Sequence, residues 1–284
     1  MINQETLMNW PFEDVIQTYT KDNSIFYALS IGIGHVPTDL NQLQYVYENN
    51  LVSFPTMAAV LGTSAPITAD PNSGIDRTKV VHGEQGLTIF SPLPAEGTVR
   101  ARDKIVDIID KGEGRGALVV MERSIINHQS DELLAKLTST IFCRANGGFG
   151  GNSGKPTEPK TPPKRTPDIV VDLPTTSQSA LYYRLNADRN PLHADPAIAA
   201  QAGFPAPILH GLCSWGMAAH AIVKACCDYD ASRLSQFECR FTKPVFPRET
   251  ISVEIWRSDN EARFRAWVQE RDAMVLDNGF AKFA

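Results

Sequence analysis

The stretch Leu185-Asn186-Ala187-Asp188-Arg189-Asn190-Pro191-Leu192-His193-Ala194-Asp195-Pro196 is the most informative of this chain, and it is followed by Pro205-Ala206-Pro207-Ile208-Leu209-His210-Gly211-Leu212-Cys213-Ser214-Trp215-Gly216-Met217. Pro191 fixes its own φ and pushes Asn190 out of the helical region, so the segment reads as a turn. A turned Asp-x-Asn-Pro-x-His aims Asp188 and His193 at one point in space, whereas a helix or a strand holds them further apart. Two proton-transfer groups sharing a water are what is needed to add water to an activated double bond, or to remove it. The same residues also fit an Asx-type turn, with Asp188 accepting backbone N–H bonds and His193 merely packed beside it. The turn alone does not choose between these readings.

Working outward, Asp195-Pro196 reads as an N-cap followed by proline at the first helical position, and the short helix Pro196 to Ala202 stops at Gly203. From Gly211 to about Cys227 the pattern is helical and apolar, through Leu212, Trp215, Met217, Ala218, Ile222 and Val223, too apolar for a surface helix. Its first turn offers free N–H groups and a positive dipole end, and glycine at 211 leaves room for a ligand carbonyl. An acid/base pair is thus followed by a helix N-terminus that can hold an oxyanion.

These residues resemble the hydratase motif of the MaoC-like, type 2 enoyl-CoA hydratases. The likeness extends along nearly the whole chain. Tyr19-Thr20-Lys21-Asp22 with Phe26 to Gly34 is similar to the family's opening helix. Val80-Val81-His82-Gly83-Glu84-Gln85 and Asp107 to Gly112 match its N-terminal half, and Thr140 to Gly151 its inter-domain junction. The two-domain form is matched better than the single-domain one. Asn186-Ala187 departs from the Ser-Gly pair common before the catalytic Asp, which bears on substrate positioning more than on chemistry.

Composition agrees without pointing there. A chain of 284 residues, 43% hydrophobic and 21% charged, has the balance of a soluble globular protein of one large or two ordinary domains. A net charge of −5 without a basic stripe argues against a nucleic-acid partner. The five cysteines, at 143, 213, 226, 227 and 239, have no metal-ligand spacing and read as free thiols of a reducing compartment. No signal-peptide pattern or membrane-length apolar run is present, and the last residues are not a Ser-Lys-Leu-type address, so a cytoplasmic enzyme is expected. There is no Gly-x-Gly-x-x-Gly for a dinucleotide.

The chain divides at a Gly/Pro-rich segment, 147–168, leaving units at 1–146 and 169–284. Both carry a His-Gly pair (His82-Gly83, His210-Gly211), then an aromatic-Pro-rich segment, then alternating strands, as a diverged duplication does. The register is imperfect, and the first half uses 43–61 differently. One long apolar helix plus antiparallel strands per half predicts an α+β fold, a sheet curled round a helix. The resemblance implies the double hot-dog fold, two such units side by side, with one active site per chain because only the second half has the turn motif.

The resemblance also implies roles. Asp188 and His193 are the catalytic pair that holds the water, and the Gly211 N–H takes the charge on the thioester oxygen. His82, Gly83, Lys111 and Phe241 lie against the CoA thioester and its pantetheine or phosphate parts, Asn190 helps position the substrate or water, and Arg189, Pro191 and Leu192 stand in the same turn as Asn190. Asp195 as an N-cap and His210 as a loop tether support the site. Lys111 also fits an ordinary exposed hairpin turn, and His82 a ring that ties two strands. The acyl-CoA is substrate, no cofactor or metal is required, no membrane or nucleic acid is involved, and a homodimer is expected. Two other readings stay open. One is a different hot-dog enzyme, acting on branched or steroid-side-chain acyl-CoA or as a thioesterase; the other is a non-catalytic acyl-CoA-binding subunit. A thioesterase does not need the turn motif, and a binder needs neither Asp188 nor His193.

Overall fold

The computed structural model describes residues 2–154 and 159–284. Its frame is one ten-stranded antiparallel sheet in the order β1-β3-β4-β5-β2-β7-β10-β9-β8-β6. The first half supplies β1 (Val15–Tyr19), β2 (Val80–Ile89), β3 (Gly97–Asp110), β4 (Ala117–Asn127) and β5 (Leu133–Cys143). The second supplies β6 (Ile169–Pro174), β7 (Leu234–Phe241), β8 (Thr250–Arg257), β9 (Glu261–Val268) and β10 (Ala273–Phe283). The halves meet where β2 pairs with β7, with Gln85 opposite Cys239 and Leu87 opposite Phe237. This is the double hot-dog layout, α+β, with the two sheets fused into one.

The strands follow from alternation. Along β9 the buried residues are Ala262, Phe264, Ala266 and Val268, every second position, as a sheet with one covered face requires. What covers that face in the second half is α6 (Gly211–Cys226), buried at twelve of its sixteen residues. Trp215 is fully buried and lies 5.4 Å from the ring of Phe237, which stacks on Phe264 at 5.0 Å. Each large apolar side chain so buried stabilises the fold by about 1.5–3 kcal/mol.

The first half does not repeat this. The expectation of one long helix per half is corrected: its longest helix is α2 (Lys21–Ser30), of ten residues, and α1 (Gln4–Met8) and α3 (Leu40–Val46) are shorter. A buried 3-10 turn, Pro55–Val60, packs against α6 and β5. The sequence Phe-Pro-Thr-Met-Ala-Ala has proline at its start and too few residues before Gly62 to build a long helix. Gly62 is itself committed: with φ +57, a Cβ there would stand 2.2 Å from that of Ala101.

The Gly-rich start of the connecting segment is docked rather than loose. The Asp110 carboxylate accepts N–H bonds from Gly112, Gly148, Gly150 and Gly151, which hold its pKa down at about 2. A Cβ on Gly147 would stand 2.2 Å from the Gly112 carbonyl oxygen, so only glycine lets the two backbones meet. Residues 155–158 of this segment lie outside the described residues.

Candidate active site

The turn forms as its proline dictates. Asn190 caps a 3-10 turn, Pro191–His193, its Oδ1 accepting the Leu192 N–H at 3.1 Å. Asp188 Oδ1 accepts the Asn190 N–H at 2.9 Å. The Asx turn and the proton-transfer reading therefore coexist, because Asp188 has a second oxygen. That oxygen, Oδ2, stands 3.9 Å from His193 Nε2, too far for a direct hydrogen bond and suited to a shared water. His193 Nδ1 donates to the Ile208 carbonyl at 2.9 Å, which fixes the neutral tautomer with a bare Nε2. Asp188 is 48% exposed in its side chain and His193 9%, so one partner faces solvent and the other the interior. Burial lowers the His193 pKa below the usual imidazole value, and the carboxylate of Asp188 only partly offsets it.

His210 joins the parts. Its ring stacks on that of His193 with centroids 3.6 Å apart, and its Nε2 donates to the Asp188 backbone carbonyl at 3.2 Å. Burial and the neighbouring His193 push its pKa down to about 4. Asp188, His193 and His210 each place a possible ligand atom within 4.8 Å of one another. His210 Nε2 is taken by the Asp188 carbonyl, which leaves Asp188 Oδ2 and His193 Nε2 as the side-chain atoms of this group without a hydrogen bond to the described residues.

His210 is also the N-cap of α6, with no side-chain cap, and the Gly211 N–H has no acceptor among the described residues. A Cβ at 211 would stand 3.2 Å from the Phe241 ring, so any larger residue there presses on Phe241 as well as on a ligand. Phe241 in turn lies 4.8 Å from the ring of His82, which brings the first half to the site. The His82 ring does not tie two strands: its Nε2 bonds the Glu84 carbonyl of its own strand across a bulge. Burial lowers its pKa to about 4. Gly83 sits within that bulge, where a Cβ would press on the Thr140 carbonyl at 3.2 Å. Asp195 is the N-cap of α5 (Pro196–Gln201), accepting from the Ala197 and Ile198 N–H groups.

Lys111 stands apart from the pair, as a residue on the pantetheine or phosphate part of CoA would. It is exposed in the β3–β4 hairpin, three strands from β2, on the order of 15 Å across the sheet. Arg189, Asn190 and Pro191 are exposed, and Leu192 is half-buried. Sequence reasoning passed over Tyr183, the last residue of α4 (Ser179–Tyr183), whose ring packs 5.1 Å from His210, and the Ile208 carbonyl that orients His193. A backbone acceptor leaves no mark in a sequence. Asn186, the departure from Ser-Gly, donates to Ser30 Oγ at 2.9 Å and so tethers the turn to α2.

Comparison with known proteins agrees with this architecture. Residues 17–145 match the model of the MFE-2 hydratase 2 N-terminal domain, and residues 158–278 that of the MaoC like domain. The chain is 38% identical to 3-hydroxyacyl-thioester dehydratase Y of Mycobacterium tuberculosis, over 95% of each chain. It is 36% identical to enoyl-CoA hydratase ChsH3 of the same organism, over 92% of each. The solved structure of a MaoC-like dehydratase from Phytophthora capsici superposes with a TM-score of 0.88 at 33% identity, covering 100% of this chain and 99% of that one. With both halves matched in order and relatives of the same length, the chain belongs to the MaoC-like, type 2 enoyl-CoA hydratase family of hydro-lyases.

Proposed function

We propose that the protein adds water reversibly to trans-2-enoyl-CoA to give (3R)-3-hydroxyacyl-CoA. The observation that carries this reading is the gap between Asp188 Oδ2 and His193 Nε2, 3.9 Å across, with the other heteroatom of each side chain pinned to backbone. A water held there lies between a carboxylate and a bare imidazole nitrogen. Its oxygen bonds to C3, Nε2 takes the departing proton, and the electron pair of the double bond moves onto the thioester oxygen. The Gly211 N–H at the positive end of α6 meets that charge; losing one such donor typically costs about 3 kcal/mol. As the charge collapses back, the pair returns a proton to C2, so one water supplies both groups added. The Asn190 Nδ2, without an acceptor among the described residues, serves to hold water or substrate in this reading.

The chain itself supplies the water site, the proton acceptor and the oxyanion donor, so this route needs no metal or organic cofactor, and the CoA thioester is the substrate. The deciding experiment follows crotonyl-CoA and trans-2-decenoyl-CoA by loss of enoyl-thioester absorbance, with chiral analysis of the product. A (3R) alcohol is expected. Release of free CoA instead would make the protein a thioesterase, and a (3S) product would overturn the assignment of the water to this face.

A further inference from the structure

The covered face of the first-half sheet is split by a polar seam. On β3, Val99, Ala101, Asp103 and Ile105 alternate as buried residues on one face. Ala101, Ile125, Ala135, Leu137 and Leu87 belong to the core around α6. Ile105, Ile108 and Val119 belong to a second core with Ile67, Ile75 and Leu7, against which Met121 and Ile141 pack. Between the two cores run Asp103, Arg123, Ser139 and Gln85, and then His82. The register places Asp103 opposite Arg123, and Ser139 between Met121 and Gln85.

At the far end of the seam Arg123 Nε and Nη2 grip the Asp103 carboxylate at 2.7 and 3.0 Å, and Ser64 Oγ donates to the same carboxylate. Asp103 is 5% exposed in its side chain and Arg123 19%. An apolar pair would serve packing here at least as well, because desolvation cancels most of what a buried ion pair gains. The remaining guanidinium nitrogen, Nη1, has no acceptor among the described residues. Met121, Ser139 and Ile141, between Arg123 and the catalytic turn, are only half-buried, so this strip of the sheet face is not fully covered by the protein. Two strands across and four residues along separate the backbones of His82 and Arg123, roughly 16 Å.

We infer that this seam is the floor of the acyl groove and that Arg123, held by Asp103 and Ser64, is a specificity-determining residue for acyl groups carrying a neutral oxygen, a ketone or hydroxyl, far from the thioester. This rests on the hydratase reading. A plain hydrocarbon end leaves the Nη1 N–H groups stripped of water with nothing to bond. A distal carboxylate is disfavoured, because Asp103 already neutralises the guanidinium and would face a second negative charge in a half-buried place. A ketone oxygen accepts the bond and adds no charge.

The test compares kcat/KM for trans-2-dodecenoyl-CoA with a series of its oxo analogues, the ketone moved stepwise from mid-chain to the ω−1 carbon, with crotonyl-CoA as the short reference. Wild type is expected to favour one position of the ketone by roughly tenfold or more over the plain chain. The paired variant Asp103→Leu/Arg123→Met, which leaves no lone charge, is expected to abolish that preference while crotonyl-CoA turnover is kept. No preference at any position in wild type, or a preference that survives in the variant, overturns the inference. If the variant does not fold, Ser64→Ala, which loosens the grip on Asp103, is expected to narrow the preference, and an unchanged preference counts against it. If crotonyl-CoA itself is not hydrated, the hydratase reading fails. Calorimetric binding of saturated dodecanoyl-CoA and its oxo analogues then judges the seam by itself, with equal affinities overturning it.

Discussion

Asp188→Asn separates the catalytic reading of the turn from the structural one. The Asp188 Oδ1 accepts one backbone N–H, from Asn190. An asparagine carbonyl accepts the same bond, and Asn is as good an Asx-turn residue as Asp. The side chain is 48% exposed, so losing its charge removes no buried partner. Folding stability should therefore stay within about 0.5 kcal/mol, the range of ordinary surface changes. Chemistry should not survive, since an amide can neither take nor return a proton and no longer stabilises an imidazolium at His193 Nε2, 3.9 Å away. Positioned acid/base groups contribute about 10²–10⁴ in rate, or roughly 2.7–5.4 kcal/mol of barrier at 1.36 kcal/mol per decade. The assay is crotonyl-CoA hydration by enoyl-thioester absorbance, beside thermal unfolding of the same samples. A loss of kcat/KM by two decades or more at unchanged Tm is expected. Activity within about threefold of wild type would refute the argument and leave Asp188 a turn residue.

Four further outcomes follow from the structure. His82, His210 and His220 have folded pKa values near 4 and that of His193 is lowered, all chiefly by burial, against 6.5 for the free side chain. The unfolded chain thus binds more protons below pH 6.5. Stability should be full above that value and fall as pH drops towards about 4, read as a lower urea midpoint at pH 5 than at pH 7. The acid limb of kcat/KM should likewise lie below pH 6.5, since the working His193 is neutral; a limb above 6.5 would contradict this. Gly211→Ala puts a Cβ 3.2 Å from Phe241, so the ring must give by a few tenths of an ångström at the oxyanion site; crotonyl-CoA hydration should fall, and Phe241→Leu in the same chain should recover part of it. Asp110→Ala frees the backbone N–H groups of Gly148, Gly150 and Gly151 in the connecting segment and that of Gly112 in the hairpin. It should make residues 147–154 cleavable by protease at neutral pH, and undiminished resistance would show that the glycine contacts alone hold the segment.

The sequence by itself settled what is local. Asn190-Pro191 forces the turn, Asp195-Pro196 starts α5, and the unbroken apolar run after Gly211 makes α6 the centre of its half. Each of these rests on φ restriction, capping or helical period, which act over a few residues and leave their mark in residue identity. Alternation gave the strands for the same reason. Tertiary structure decided the rest. The stack of His210 on His193, the Ile208 carbonyl that fixes the tautomer, and the approach of Phe241 to both Gly211 and His82 join segments far apart in the chain. Lys111 is another case, since only the strand order shows how far its hairpin stands from β2 and the pair. The missing long helix of the first half belongs here too. Pro55 and Gly62 mark where such a helix cannot run, but only packing shows that loop residues such as Ser64, with the Asp103–Arg123 pair beneath, occupy the sheet face it would have covered. Local chemistry writes turns and helices; which distant side chains meet depends on how two sheets fuse, and no single segment encodes that.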